Sequence, residues 1–224
     1  MIRGILFDMD GVLVDNTRVH VDAFGIFCRR YGVEDWERKL SAAFGMGNDD
    51  IMRLILPENI LREKGLPALA AEKEAIYREI YAPAIRPVAG LAELLARLRA
   101  ADIPCAVGSS GPRANVDFVL DTCGIRTYFA AIVDSDQVKR CKPDPEIYRT
   151  AAAKLGLDPA ECLVFEDAEA GIESARRAGA GRIFALATTL SREKLRTTAA
   201  DRVIGDFTEI TDLSFLGRPH AIRT

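Results

Sequence analysis

The chain carries no excess of basic charge: 30 lysines and arginines stand against 33 aspartates and glutamates, for a net charge of −3. Without a positive field it has no general attraction to offer a nucleic acid or an anionic membrane surface, so the expected partner is a small molecule. It also lacks any C-x-x-C pair. Its five cysteines, Cys28, Cys105, Cys123, Cys141 and Cys162, are odd in number and widely spaced, which argues against a zinc site, a redox pair or a disulfide framework and fits reduced core residues. There is no long apolar leader with a cleavage site, and no apolar run approaches the roughly 20 residues of a bilayer span. A cytoplasmic soluble protein, monomer or homodimer, is expected. Internal repeats and low-complexity segments are absent too. What remains is 224 residues at 49% hydrophobic composition, enough for a full core.

Short apolar runs recur at Ile2 to Phe7, Ile103 to Val107, Ala130 to Val133, Cys162 to Phe165 and Arg182 to Leu186. Each reads as a buried strand. Between them, Leu91, Leu94, Leu95, Leu98 and then Val116, Val119, Leu120, Cys123 follow the spacing of one apolar helix face. Strands alternating with helices predict an α/β fold with a parallel sheet covered on both faces. One interval breaks the alternation. From Asn16 to Arg86 the pattern is helical throughout, with Phe24, Phe27, Cys28 and Tyr31 on one face, and a loop of that length does not fit a compact domain. The expected organisation is a core of residues 1–15 and 87–224 with a helical unit, residues 16–86, inserted after the first strand.

Ligands of such sheets bind beyond the carboxyl ends of the strands. The residues there are Asp8 and Asp10, then Ser109 and Ser110, then Lys142, then Glu166 and Asp167. Asp8 and Asp10 are two apart, so on an extended chain their side chains leave the same way. Four carboxylates in one crevice repel one another unless a cation neutralises them, and Mg2+ is the usual partner of hard oxygen donors. A carboxylate can also attack phosphorus to give an aspartyl-phosphate, which makes Asp8 the candidate nucleophile. Asp10 is placed to protonate the leaving oxygen and later deprotonate water, while Lys142 and the Ser109 hydroxyl suit the phosphoryl oxygens. Each stretch alone has an ordinary explanation as a turn, a cap or a loop leading into a helix. Four in order at successive strand ends are much harder to dismiss.

FDMDGVLVDN, VGSSG, CKPDPEIY and FEDAEAGIESARRAG together resemble the four motifs of the haloacid dehalogenase superfamily, in the branch with a helical cap after the first motif. The resemblance implies a Rossmann-like parallel sheet of order 3-2-1-4-5, a helical cap, and Mg2+-dependent phosphoryl transfer through a phosphoaspartate. It implies Asp8 as nucleophile, Asp10 as acid and base, Ser109 as phosphate-binding hydroxyl and Lys142 as cation. The metal would be held by Asp8, the Asp10 carbonyl, Asp167 and Glu166. Gly11, Ser110 and Gly111 in the core, with His20, Gly45 and Asn48 in the cap, would contact substrate. The wording is similar to β-phosphoglucomutases and their sugar-phosphatase and pyrophosphatase relatives. His20 then has two readings: half-buried against the core, or touching the acid/base aspartate.

Two departures stand out. Phe44 to Asp50, where a mutase carries basic residues for a distal phosphate, is neutral and then acidic, although Lys39 or Arg53 could compensate. Ala168 stands where relatives often have a serine supporting the lysine. The first favours a phosphatase of small phosphorylated metabolites, with sugar phosphates foremost, over a β-phosphoglucomutase-like mutase. A pyrophosphatase and a phosphoaspartate signalling domain are further alternatives; the cap and Asp10 argue against signalling. Haloacid dehalogenation would need neither Asp10 nor Mg2+.

Overall fold

The computed structural model describes residues 1–42 and 48–217. Packing divides the chain into two units, one formed by Met1–Asp15 with Arg86–Thr224, the other by Asn16–Ile85.

The first unit is built on β1 (Gly4–Phe7). The chain reaches the second unit through α1 (Thr17–Arg30), α2 (Trp36–Ala42), α3 (Asn48–Ile55), α4 (Glu58–Lys64) and α5 (Leu66–Tyr81). It then returns to the first for α6 (Leu91–Ala100), β2 (Cys105–Gly108), α7 (Arg113–Thr122), β3 (Ala131–Val133), α8 (Glu146–Lys154), β4 (Cys162–Glu166), α9 (Glu169–Ala178), β5 (Arg182–Leu186), α10 (Arg192–Leu195) and β6 (Arg202–Ile204). The strands form one sheet of order β3-β2-β1-β4-β5-β6, and every neighbouring pair is parallel. The expected Rossmann-like order is present, with β6 added at the β5 edge. That strand escapes sequence reading because three residues, one of them an exposed arginine, make no apolar run.

β1, β2 and β4 are buried on both faces, which is why they read as continuous apolar runs. Side chains still alternate. Leu6, Ala106 and Val164 face Ile147, Tyr148, Ala151, Ile172 and Ala175 of α8 and α9. Phe7 and Phe165 instead stack together at 5.1 Å, and Phe129, Phe184 and Phe207 meet their edges. Each buried ring contributes roughly 1.5–3 kcal/mol relative to exposure. Leu91, Leu94, Leu95 and Leu98 form the buried face of α6, and Val116, Val119 and Leu120 that of α7.

In the second unit Phe24, Phe27 and Cys28 are the buried stripe of α1, while Leu69, Ile76, Tyr77 and Tyr81 are that of α5. A polar cluster joins the two helices. The Asn16 amide donates to the Tyr77 hydroxyl at 2.6 Å, and the Tyr77 ring lies flat on His20 at 4.1 Å between centroids. The Lys73 ammonium, which can only donate, stands 3.0 Å from His20 Nδ1, 2.8 Å from Glu74 and 4.5 Å above the Phe24 ring. No helix among the described residues is long and apolar enough to cross a membrane.

Candidate active site

β1 ends at Phe7 and delivers Asp8, whose backbone N–H still bonds the Phe165 carbonyl of β4 at 3.0 Å. The strands therefore remain in register up to the site. After Met9 the chain folds into a tight flap, closed by Leu13 N–H to the Met9 carbonyl and Gly11 N–H to the Val14 carbonyl, both at 2.8 Å. Gly11 is required there twice over. Its φ is +75°, and a Cβ would lie 2.0 Å from Asp167 Oδ2.

β4 delivers Glu166 and Asp167 beside Asp8. Among the described residues these three buried carboxylates form a group in which each offers one oxygen, and those three oxygens lie within 4.8 Å of one another. The Lys142 ammonium enters from the loop before α8 and donates to Asp8 Oδ1 at 2.6 Å and Glu166 Oε1 at 2.7 Å. Its side chain is only 8% exposed. Ser174 Oγ, on α9, donates to the Asp144 carbonyl at 2.6 Å and so ties down the loop that carries the lysine.

Three carboxylates around one ammonium leave the pocket short of positive charge. Burial pushes the Asp8 carboxyl up to about 7, with Lys142 opposing and Glu166 and Asp10 adding to the rise. Burial, Glu166 and Asp8 likewise hold Asp167 well above the ordinary carboxylate range, against a hydrogen bond to Thr189. For Lys142 burial opposes the charge, but the two carboxylates raise its pKa overall. A hard oxygen set so short of cation fits Mg2+.

Ser109 lies at the end of β2, fully buried, with its backbone N–H on the Val133 carbonyl at 2.9 Å and its hydroxyl accepting from Gly111 N–H at 3.0 Å. A Cβ on Gly111 would stand 3.7 Å from Asp10 Oδ2, so the turn after β2 comes up against the flap. Ser110 is exposed. Asp10 is half-buried and is not a member of the close carboxylate group. In the second unit His20 is half-buried within the Asn16, Lys73 and Tyr77 cluster. Gly45 lies outside the described residues, and Asn48 is placed only as the first residue of α3.

Sequence reading missed four contributors. Tyr148 of α8 sends its hydroxyl to Glu166 Oε1 at 2.5 Å. Thr188 donates to the Gly11 carbonyl at 2.5 Å, and Thr189 bonds Asp167, so the loop after β5 braces both flap and carboxylate. Gly171 of α9 leaves room for Glu166, since a Cβ there would lie 1.8 Å from Oε1. Nothing within CKPDPEIY sets the Tyr148 hydroxyl apart, and the threonines follow a strand that offered no carboxylate or lysine.

A family model described as haloacid dehalogenase-like hydrolase matches residues 2–179. Validoxylamine A 7'-phosphate phosphatase of Streptomyces hygroscopicus subsp. limoneus is 33% identical over 212 residues, covering 94% of this chain and 96% of that protein. Fructose-1-phosphate phosphatase YqaB of Escherichia coli (strain K12) is 32% identical over 176 residues, covering 79% and 92%. Among solved structures, CbbY from Rhodobacter sphaeroides in complex with phosphate superposes with a TM-score of 0.82 at 27% identity, covering 96% of this chain and 99% of that one.

Proposed function

Since the chain belongs to the haloacid dehalogenase-like hydrolase family, we propose that it is a Mg2+-dependent phosphatase of small phosphorylated metabolites, sugar phosphates foremost, working through an aspartyl-phosphate on Asp8. The observation that carries this reading is the constellation of Asp8, Glu166 and Asp167 at the ends of β1 and β4 with Lys142 from the loop before α8. The phosphatase names of the two relatives support the substrate class.

Asp8, Asp167 and the Asp10 backbone carbonyl would hold Mg2+, with the Glu166 carboxylate beside them accepting from Lys142. When bound, the ion neutralises the carboxylates and offsets the charge on the phosphoryl oxygens. The Asp8 carboxylate attacks phosphorus, the bond from phosphorus to the ester oxygen breaks, and that oxygen takes a proton from Asp10. Asp10 then removes a proton from the water that cleaves the aspartyl-phosphate, releasing phosphate and restoring Asp8. Lys142, the Ser109 hydroxyl and the turn through Ser110 and Gly111 hold the transferring group, with Gly11 beside it. Residues 16–86 are read as the cap, with His20, Gly45 and Asn48 selecting the substrate. The enzyme is read as cytoplasmic, a monomer or homodimer, with neither nucleic acid nor membrane as partner.

A panel of aryl phosphate, hexose phosphates and pyrophosphate, with and without Mg2+, tests the reading. Turnover of monophosphate esters that depends on Mg2+ is expected; no turnover on any ester would overturn it. With β-glucose 1-phosphate and a trace of the bisphosphate, free phosphate marks hydrolysis and glucose 6-phosphate marks a mutase.

A further inference from the structure

A carboxylate offers about four lone-pair directions, and protein donors meet the oxygens of Glu166 four times. Oε1 accepts from Lys142 Nζ at 2.7 Å and from the Tyr148 hydroxyl at 2.5 Å. Oε2 accepts from the backbone N–H of Asp167 at 3.0 Å and of Ala168 at 3.4 Å. Gly171 lies directly behind the carboxylate, so the group is walled in as well as bonded. A ligand with its lone pairs engaged in this way has little to give a metal ion.

Tyr148 is itself held firmly. It is fully buried, its ring edge packs 3.2–3.3 Å from where a Cβ on Gly108 would sit, and the Lys142 ammonium lies 4.8 Å from the ring centroid. A phenylalanine would fill the same space against the same neighbours. Only the hydroxyl would be lost, and packing alone gives no reason for a hydroxyl there.

We propose that Tyr148 is a positioning residue of the active site: its hydroxyl keeps Glu166 aimed at Lys142, as the anchor of that lysine, and out of the direct coordination of the metal. This deepens the phosphatase reading and rests on it for the roles of Asp8, Lys142 and the metal. The lysine has two acceptors, Asp8 and Glu166, and only Glu166 remains to it while Asp8 is turned toward phosphorus. Anchoring Glu166 therefore keeps the ammonium in place during transfer. Releasing Oε1 from the hydroxyl would loosen that anchor and free a lone pair toward the Asp8 and Asp167 oxygens.

Tyr148→Phe separates these effects from packing. With aryl phosphate at saturating Mg2+, kcat is expected to fall about tenfold, the scale on which partners of metal-site residues act, with KM little changed. Direct titration of Mn2+ into the metal-free protein, read by the resonance of the free ion, is expected to show several-fold tighter binding. Slower turnover with tighter metal is a split that a loosened core would not produce. Wild-type values for both measurements, or weaker metal binding alongside slower turnover, would overturn the proposal. Should the wild type hydrolyse no ester at all, the phosphatase reading fails, while the Mn2+ titration still decides between Glu166 as anchor and Glu166 as ligand.

Discussion

Gly171 and Gly11 are small because carboxylates lie against them: Glu166 occupies the space of one Cβ and Asp167 that of the other. Gly171→Ala should therefore push Glu166 off Lys142 and lower kcat more than it lowers stability, a difference visible by assaying turnover and thermal melting on one preparation. Asp8→Asn removes the attacking oxygen anion while keeping the shape, and turnover should vanish with the fold intact. Full activity in that variant would remove the nucleophile from the mechanism. Lys142→Ala leaves Asp8 and Glu166 without the cation they share, and breaking a buried pair costs about 3–5 kcal/mol. Urea unfolding in the absence of metal should register that loss. Asp8, Lys142, Glu166 and Asp167 could be picked out of the sequence only together, because each has an ordinary reading as a turn, cap or loop residue but all four recur in order beyond successive strands. Tyr148 could not, since a tyrosine beside Ile147 and before Ala151 reads as core, and only the fold reveals where its hydroxyl ends.

Between elements, one bond does a particular job: Ser174 Oγ on α9 reaches the Asp144 carbonyl in the loop that carries Lys142. Ser174→Ala should cost about 1 kcal/mol in urea unfolding and lower kcat several-fold, because the lysine loop loses its tie to α9. In the second unit, α1 and α5 are joined through Asn16, His20, Lys73 and Tyr77. Periodicity marks His20 as lying on the Phe24 and Phe27 stripe, but the partner helix supplies Lys73, 53 residues away. Such a pairing leaves no trace in local spacing. Within its own unit His20 is half-buried and stacked on Tyr77.

The metal-free protein should lose stability as pH rises toward neutrality. Asp8 is held up to about 7 from an ordinary 3.8, so between those values the folded chain binds more protons than the unfolded one, and stability falls across that window. Mg2+ must compete with the same proton. Its stabilising shift in melting temperature should accordingly be small near about pH 5 and grow through about pH 7 to 8. A shift independent of pH would mean that Asp8 is not the group the metal displaces a proton from.

The sequence by itself determined the parallel sheet, since both-face burial writes each central strand as an unbroken apolar run. It also marked the strand ends where carboxylates and a lysine gather, because such groups recur in order beyond successive apolar runs. Only the tertiary structure decided how the charges are shared. Glu166 and Asp8 divide one ammonium, Tyr148 and two backbone N–H groups take the remaining Glu166 directions, Thr188 braces the flap and Thr189 holds the Asp167 carboxylate. Those bonds join residues from 18 to 177 positions apart, apart from the two local N–H groups. Local spacing cannot encode them; they exist because parallel strands in register bring their carboxyl ends to one edge of the sheet.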